Sequence, residues 1–509
     1  MCGIIGAYGI HDLTKQAASL THRGPDEEGH HKNDFSSLAH KRLSIVDLST
    51  GRQPIKGRGE TYVIHNGEIY NHEDLRKGCK HQDFHTTSDS EVIVRLYEEK
   101  GVTFLNELDG VFAFVLQDGD KLFAARDPIG VKPLFYGFDN EGNIWFASEM
   151  KALSHLPKIW DFPPGHYYLT GKGFNSYYEP LWRTQPHKGL KVHSNLKDPL
   201  INAVCKRLMA DVPLGVLLSG GLDSSLIASI VCRYSQHKVK SFSVGVEGSP
   251  DLKAARLVAD YLGTEHHEII FTVEEGVNEI YNAIHYMETY DVTTIRSGTP
   301  MMLMAKYIRD QGVKVVLSGE GADEIFGGYL YFQEAPTPMA FHEETIDRVG
   351  RLYKSDVLRA DKAMMAHAIE VRVPFLDRHF LNEAMKLHPN LKQTKVEKEI
   401  LRATFAGGGW LPDEILWRQK EQFSDGVGYS WIDGLKDHAE KLYSDLFFVE
   451  AKSIFSVNPP ETKEALWYRF MFDNLFPAGR DQLIQVWEPK WQKNKDPSGR
   501  VSHAHREKK

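Results

Sequence analysis

Cysteine is scarce: four in 509 residues, at Cys2, Cys79, Cys205 and Cys232. So few, so scattered, they exclude a disulfide scaffold and a Cys-x-x-Cys zinc site. No apolar run approaches the roughly 20 residues a membrane span needs. The opening Met-Cys-Gly-Ile-Ile-Gly lacks the basic region of a signal peptide. A cytoplasmic location with reduced thiols is therefore expected. Positive charge is not in excess either: Lys and Arg number 61 against 69 Asp and Glu, a formal net charge of −8. Neither nucleic acid nor membrane is thus expected as a partner. The 24 histidines contain no H-E-x-x-H pair, and internal repeats and low-complexity tracts are absent. What remains is the mix of a folded protein, 41% hydrophobic and 26% charged, in a chain long enough for two or three domains.

The first third is strand-rich. Runs at Ile4–Tyr8, Leu43–Asp47, Tyr62–His65, Val111–Gln117, Leu122–Ala125 and Ile144–Ala147 read as strands. Asn66-Gly67 and Asp118-Gly119-Asp120 read as hairpin turns between them, and Ser90–Lys100 as a helix. Long antiparallel strands with few helices predict a two-sheet domain over 1–182. Residues 183–193, polar and broken by Pro and Gly, read as a linker. Over 194–509 the rhythm changes. Strands at Leu214–Leu218, Ser241–Val246, His267–Phe271 and Val313–Leu317 alternate with helices at Ser224–Tyr234, Leu252–Leu262 and Pro300–Gln311. That alternation predicts a parallel sheet covered on both faces. From about Ala340 the pattern is mainly helical, and Pro497–Lys509 is expected to fray.

Two loops of the second domain carry chemistry. Ser219-Gly220-Gly221-Leu222-Asp223-Ser224-Ser225 lies between a strand and a helix. Its glycines let the backbone approach an anion, the helix start presents free N–H groups, and Asp223 can hold Mg²⁺. The Gly-Lys-Ser/Thr ending of a Walker loop is missing. Five fixed positions of this kind arise by chance about one time in a thousand in such a chain. A second loop, Ser318-Gly319-Glu320-Gly321-Ala322-Asp323-Glu324, also follows a strand, and its three carboxylates suit Mg²⁺ ligands and a base. The two loops resemble those of the PP-loop ATP pyrophosphatases. That resemblance gives Ser219, Gly220, Gly221, Asp223 and Ser224 to the departing pyrophosphate and Leu218, Val244, Ser318 and Gly319 to the adenosine. Asp323 joins Asp223 as a metal candidate.

At the other end, removal of Met1 would leave Cys2 with a free α-amino group, a base for its own thiol with an ordinary pKa near 8. Alone, Cys2 would read as a small buried residue. Its company changes the reading. His22-Arg23-Gly24-Pro25-Asp26, Arg42-Leu43-Ser44-Ile45-Val46-Asp47, Asn66-Gly67-Glu68-Ile69-Tyr70-Asn71, Ser88-Asp89-Ser90-Glu91 and Arg126-Asp127-Pro128-Ile129-Gly130 resemble class II glutamine amidotransferases. Those are N-terminal-nucleophile hydrolases with a four-layer αββα fold. Attack of Cys2 on a glutamine amide builds an oxyanion, which the Asn66 amide and the Gly67 N–H can stabilise. Arg42 suits the α-carboxylate of glutamine and Asp89 its α-ammonium. Leu43, Ser44, Ile45, Val46 and Glu68 complete the glutamine positions.

Joined in this order, the halves resemble the glutamine-dependent asparagine synthetases over nearly the whole chain. Further matches lie at Gly248–Leu252, Glu288–Arg296, Arg372–Asp377 and Trp417–Gly426. The resemblance implies a ligase that adenylates aspartate with Mg-ATP and amidates it with ammonia released at Cys2. No bound organic cofactor is implied. Glu320 matches the residue tied to forming the acyl adenylate, and Lys420 a cation that stabilises phosphate charge. Arg296, with Thr294 beside it, is a candidate for the aspartate carboxylate, a structural ion pair being an equal alternative. Dimers are common in that family, so a homodimer is among the assemblies the resemblance allows. A relative with a different acyl substrate, and an ammonia-only synthetase whose glutaminase is a structural cap, are the rival readings. A non-catalytic nucleotide-binding regulator is the rival of another class. It would be expected to lose Asp223, Glu320 or Lys420 while keeping the glycines. The chain departs from the family pattern in a short Gly9–His22 stretch, a compact interdomain segment, Ala322 and the Gly407-Gly408-Gly409 run.

Overall fold

The computed structural model describes residues 2–493, 496 and 498. The rest of the tail expected to fray lies outside the described residues. The chain forms two compact units: 1–179 with two short returning segments, 209–213 and 364–370, and 180–208 with 214–363 and 371–509. Among the described residues no helix is long and apolar enough to cross a membrane.

The first unit carries strands β1 (Gly3–Tyr8), β2 (Glu27–Lys32), β3 (Ser36–Arg42), β4 (Ile55–Lys56), β5 (Thr61–Ile69), β6 (Gly110–Asp118), β7 (Lys121–Arg126), β8 (Phe135–Phe138), β9 (Ile144–Ala147), β10 (Lys158–Asp161), β11 (His166–Leu169) and β12 (Gly173–Ser176). They build two sheets, β10-β8-β9-β1-β3-β2 and β12-β11-β7-β6-β5-β4. Side-chain alternation explains why the sheets stack. On β6, Ala113 and Val115 point into the core between the sheets with Ile4, Leu38, Ile64 and Phe146. Phe112, Phe114 and Leu116 point the other way, under Val92, Ile93 and Leu96 of the helix Glu91–Lys100. The short helix Thr14–Ala18 and the turn Met150–Leu153 pack on the outer side of the first sheet. The result is the four-layer αββα arrangement expected from sequence.

Two local readings are corrected. Asn66-Gly67 is no turn: both residues lie inside β5, opposite Ala113 and Phe112 of β6. Gly67 takes φ +150° there, and a Cβ on it would stand 2.0 Å from the Val111 carbonyl oxygen. Only glycine fits that close approach. Leu43–Asp47 is no strand either. The chain leaves β3 at Arg42 and is held by side chains, the Ser44 N–H donating to Asp26 Oδ2 at 2.8 Å.

In the second unit, β13 (Leu214–Leu217), β14 (Lys240–Gly245), β15 (Glu265–Ile270), β16 (Val315–Leu317) and β17 (Glu370–Arg372) form one sheet in the order β15-β14-β13-β16-β17. The β13–β14, β14–β15 and β13–β16 pairs are parallel. Helices Leu222–Tyr234, Pro250–Leu262 and Val292–Asp310 connect these strands. Successive strands go one way from β13 and then resume on its other side, so β13 and β16 flank a topological switch point, where open α/β sheets bind ligands beyond the carboxyl ends of the strands. Both glycine-rich loops leave from those ends. Residues 183–193, read as a linker, begin in the helical turn Leu181–Thr184 and pair at Lys191 with Leu387.

Candidate active sites

Cys2 immediately precedes β1 and is 6% exposed. Its nitrogen donates to Asn66 Oδ1 at 2.9 Å. β5 makes this meeting possible, because Asn66 shares its parity with Ile64 and so faces the core between the sheets, toward β1. Asn66 Nδ2 is buried without a hydrogen-bond partner among the described residues. A buried amide donor left unspent is costly and is the group an oxyanion would use. Arg23 Nε donates to the Cys2 carbonyl at 3.0 Å and its Nη1 to Glu149 at 2.8 Å, which fixes the start of the chain from beneath. Burial pushes the Cys2 thiol up, against the positive chain terminus, the Leu43 N–H and the Arg42 guanidinium. The thiol therefore needs a base to become a nucleophile.

The loop 42–50 is tied to the loop 86–90 by one residue, Asp47, that the sequence placed in a motif without giving it a role. Asp47 Oδ1 accepts from the Thr50 N–H at 2.7 Å, and its Oδ2 from the N–H groups of Thr87 and Ser88 at 2.8 and 3.1 Å. Arg42 is buried, pairs with Glu27 at 2.6 Å and donates to the Asp47 carbonyl. Asp89, also buried, accepts from the Ile69 N–H at 2.8 Å. Arg42, Glu68 and Asp89 are thereby held on backbone anchored to β3 and β5. Asp127, in a segment the sequence singled out, has a structural use: it accepts the N–H groups of Ile129, Gly130, Val131 and Lys132 and folds its own turn.

In the second unit a cleft of about 1110 Å³, its open mouth included, lies over the ends of β13 and β16. Leu218, Ser219, Gly221, Asp223, Ser224, Val244, Ser318, Gly319, Glu320, Asp323 and Lys420 line it, so all but Gly220 of the positions assigned to nucleotide and catalysis in this half meet there. Ser219 and Ser224 hold each other, hydroxyl to hydroxyl, at 3.0 Å over the start of the helix Leu222–Tyr234. That helix end supplies a positive dipole and free N–H groups.

Charges in the cleft alternate. Lys420 Nζ lies 2.8 Å from Asp323, and Lys398 bridges Asp323 to Asp223. Burial works against the Asp323 charge, but Lys398 and Lys420 prevail and bring its carboxyl down to about 2. Glu397 accepts from the Lys420 N–H at 2.7 Å and from Arg402 at 2.8 Å, which sets the lysine's backbone. Glu320 differs. Arg359 Nη2 donates to both its oxygens, at 2.9 and 3.0 Å, while Nη1 holds Asp356 at 2.6 Å. Burial nonetheless raises the Glu320 carboxyl, helped by Asp356 and opposed by Arg359. Glu324, the third acid of the loop, receives the Tyr329 hydroxyl, and burial raises it well above the carboxylate range. A neutral acid is a poor metal ligand. Sequence reasoning missed Asp356, Arg359 and Lys398, because an Asp-x-x-Arg helix pair or a lysine between glutamates looks like ordinary surface charge.

Thr294 and Arg296 are not brought to the cleft. The Thr294 hydroxyl donates to Asp291 at 2.7 Å. Arg296 spends Nε and Nη2 on Glu464, at 2.8 and 2.6 Å, and Nη1 on Asp496 at 3.0 Å. The structural ion pair is the alternative realised.

Most of the first unit falls within a match to the glutamine amidotransferase domain over 1–189, and most of the second within matches to asparagine synthase over 195–339 and 333–496. A curated protein of Brassica oleracea, "Asparagine synthetase [glutamine-hydrolyzing]", is 47% identical over 551 aligned positions that cover 99% of this chain and 93% of its own. The chain belongs to the glutamine-hydrolysing asparagine synthetases. Within this synthetase family, an Arabidopsis thaliana member, "Asparagine synthetase [glutamine-hydrolyzing] 3", is 48% identical over 99% of this chain and 94% of its own. A Dictyostelium discoideum relative, "Probable asparagine synthetase [glutamine-hydrolyzing]", is 47% identical over 99% of both chains. The synthetase alignment over 551 positions is longer than this 509-residue chain, and only the five-residue helix Thr14–Ala18 stands between β1 and His22.

Proposed function

We propose that this protein makes asparagine from aspartate, ATP and glutamine, releasing glutamate, AMP and pyrophosphate. The observation that carries the reading is the pairing of two complete sites on one chain: Cys2 held to Asn66, and a carboxylate- and lysine-lined cleft at the switch point of a parallel sheet.

At the first site the Cys2 α-amine, freed by loss of Met1 and held by Asn66 Oδ1, takes the thiol proton. The thiolate attacks the glutamine amide. Asn66 Nδ2 and the Gly67 N–H receive the oxyanion, while Arg42 and Asp89 bind the carboxylate and ammonium of glutamine. Ammonia leaves and water later releases glutamate. At the second site the Ser219–Ser224 loop receives the β- and γ-phosphates, and Lys420 offsets charge as the aspartate carboxylate attacks the α-phosphorus and pyrophosphate departs. Glu320, aimed by Arg359, accepts a proton from the attacking ammonia, and asparagine and AMP form. Asp223 and Asp323 fit Mg²⁺: Asp223 Oδ1 is buried with no hydrogen-bond partner among the described residues, and Mg²⁺ is usually bound by one or two carboxylates plus substrate phosphates. The ion would supply further phosphate charge compensation.

Ammonia passes inside the protein, because in water at neutral pH it would be mostly ammonium and not nucleophilic. A cytoplasmic enzyme with small-molecule substrates, no nucleic-acid or membrane partner and a possible homodimeric assembly completes the reading. The test is Cys2→Ala. Glutamine-dependent asparagine synthesis falls by about three orders of magnitude or more, while synthesis from ammonium salts at alkaline pH persists. Loss of both activities together contradicts the two-site reading.

A further inference from the structure

Lys398 is 1% exposed, yet its ammonium touches Asp223 on the loop after β13 and Asp323 on the loop after β16. Its backbone is left-handed, φ +57°, a conformation that costs a lysine about 1–2 kcal/mol. That strain is held from both sides. The Lys398 carbonyl accepts from the N–H groups of Leu401 and Arg402 at 2.9 and 3.0 Å, where the helix Glu399–Phe405 begins. Glu397 is clamped by Arg402 and the Lys420 N–H. Gly328 leaves the room: a Cβ on it would come within 2.1 Å of both Asp323 Oδ1 and Lys398 Cε. A strained backbone and a glycine-lined gap thus converge on one side chain seated between two carboxylates from different loops.

We infer that Lys398 is a positioning residue that serves as the resident counter-cation of these carboxylates, holding the two loops in register and excluding a free divalent cation until nucleotide brings its own negative charge. With Asp323 already flanked by Lys398 and Lys420, the pair has little charge left to attract a free dication. Phosphates entering the cleft add the anionic charge that lets a dication and both lysines coexist. The inference rests on reading the cleft as a nucleotide site. Its test is independent of the reaction: Mn²⁺ alone is added to the full-length, nucleotide-free protein and uptake is followed by electron paramagnetic resonance.

Lys398→Met, which keeps the stem and removes the charge, binds Mn²⁺ at least about tenfold more tightly than wild type. Lys398→Arg, which keeps a cation, stays at the wild-type affinity. Equal or weaker binding by Lys398→Met overturns the inference, since a merely structural lysine would not gain metal affinity on removal. Should Lys398→Met not fold, wild type decides: one tight Mn²⁺ per chain without nucleotide, lost in Asp323→Asn, overturns it, and uptake that begins only when pyrophosphate is added supports it. Product assays with glutamine and aspartate judge the synthetase reading separately.

Discussion

Asn66 Oδ1 holds the Cys2 nitrogen and leaves Nδ2 buried without a partner among the described residues, free for the oxyanion of the proposed reaction. Asn66→Asp separates the roles, because it keeps an acceptor for the Cys2 nitrogen and removes the N–H₂ donor. We expect glutaminase kcat to fall about 10²–10³-fold, with the KM for glutamine little changed. A rise in KM at constant kcat would show instead that Asn66 binds ground-state glutamine. At this scale the sequence was most legible for residues whose chemistry is rare: a cysteine at position 2, an S-G-G-x-D-S run, a Glu beside glycines. It was silent on Lys398 and Arg359, whose partners lie far away along the chain, at Asp223 and Asp323 for the first and Glu320 for the second. Thr294 and Arg296 were misleading for the converse reason. An arginine near a motif says nothing of the glutamate 168 residues on that claims it.

At the scale of elements, the strands and helices with strong periodicity appear close to where the pattern puts them. The errors fall where side chains or tertiary contacts override local rules. Asn-Gly is a turn signal, yet inside β5 the glycine is required by the closeness of β6. Leu43–Asp47 is mostly apolar, but the N–H groups of Ser44 and Asp47 are claimed by carboxylates rather than by a sheet. Asp47 makes this a functional matter, since it binds the loop bearing Arg42 to the loop bearing Asp89. Asp47→Ala removes the acceptor for three backbone N–H groups, each worth about 1 kcal/mol. Part of that loss reaches substrate binding. We expect the KM for glutamine to rise about tenfold, with ammonia-dependent asparagine synthesis unaltered. Equal losses with both nitrogen sources would mean that Asp47 supports the fold of the whole molecule rather than the proposed glutamine pocket.

At the scale of the whole molecule, two-domain order and both fold classes were readable because each half has its own periodicity, antiparallel alternation in one and strand-helix alternation in the other. The short returning segments 209–213 and 364–370 of the first unit were not, since nothing in their composition ties them to residues so distant. Burial of uncharged imidazoles also has a global consequence. Burial lowers His40 and His65 to about 3 and His266 and His342 to about 4. In the unfolded chain these groups titrate near 6.5. Between that value and the folded ones the unfolded state binds more protons, so stability is full above pH 6.5 and is lost as pH falls. Unfolding at pH 5 should add about four protons to these imidazoles; at pH 8 they gain none, and Lys392, which burial lowers to about 7, gains about one, as proton-linked calorimetry in buffers of different ionisation enthalpy would report. One assay reaches the chemistry directly: purified protein with glutamine, aspartate and Mg-ATP, following asparagine, glutamate, AMP and pyrophosphate together. Asparagine and AMP in equal amounts are the predicted result. Glutamate accumulating without asparagine would contradict it and assign the adenylating unit a different acyl substrate.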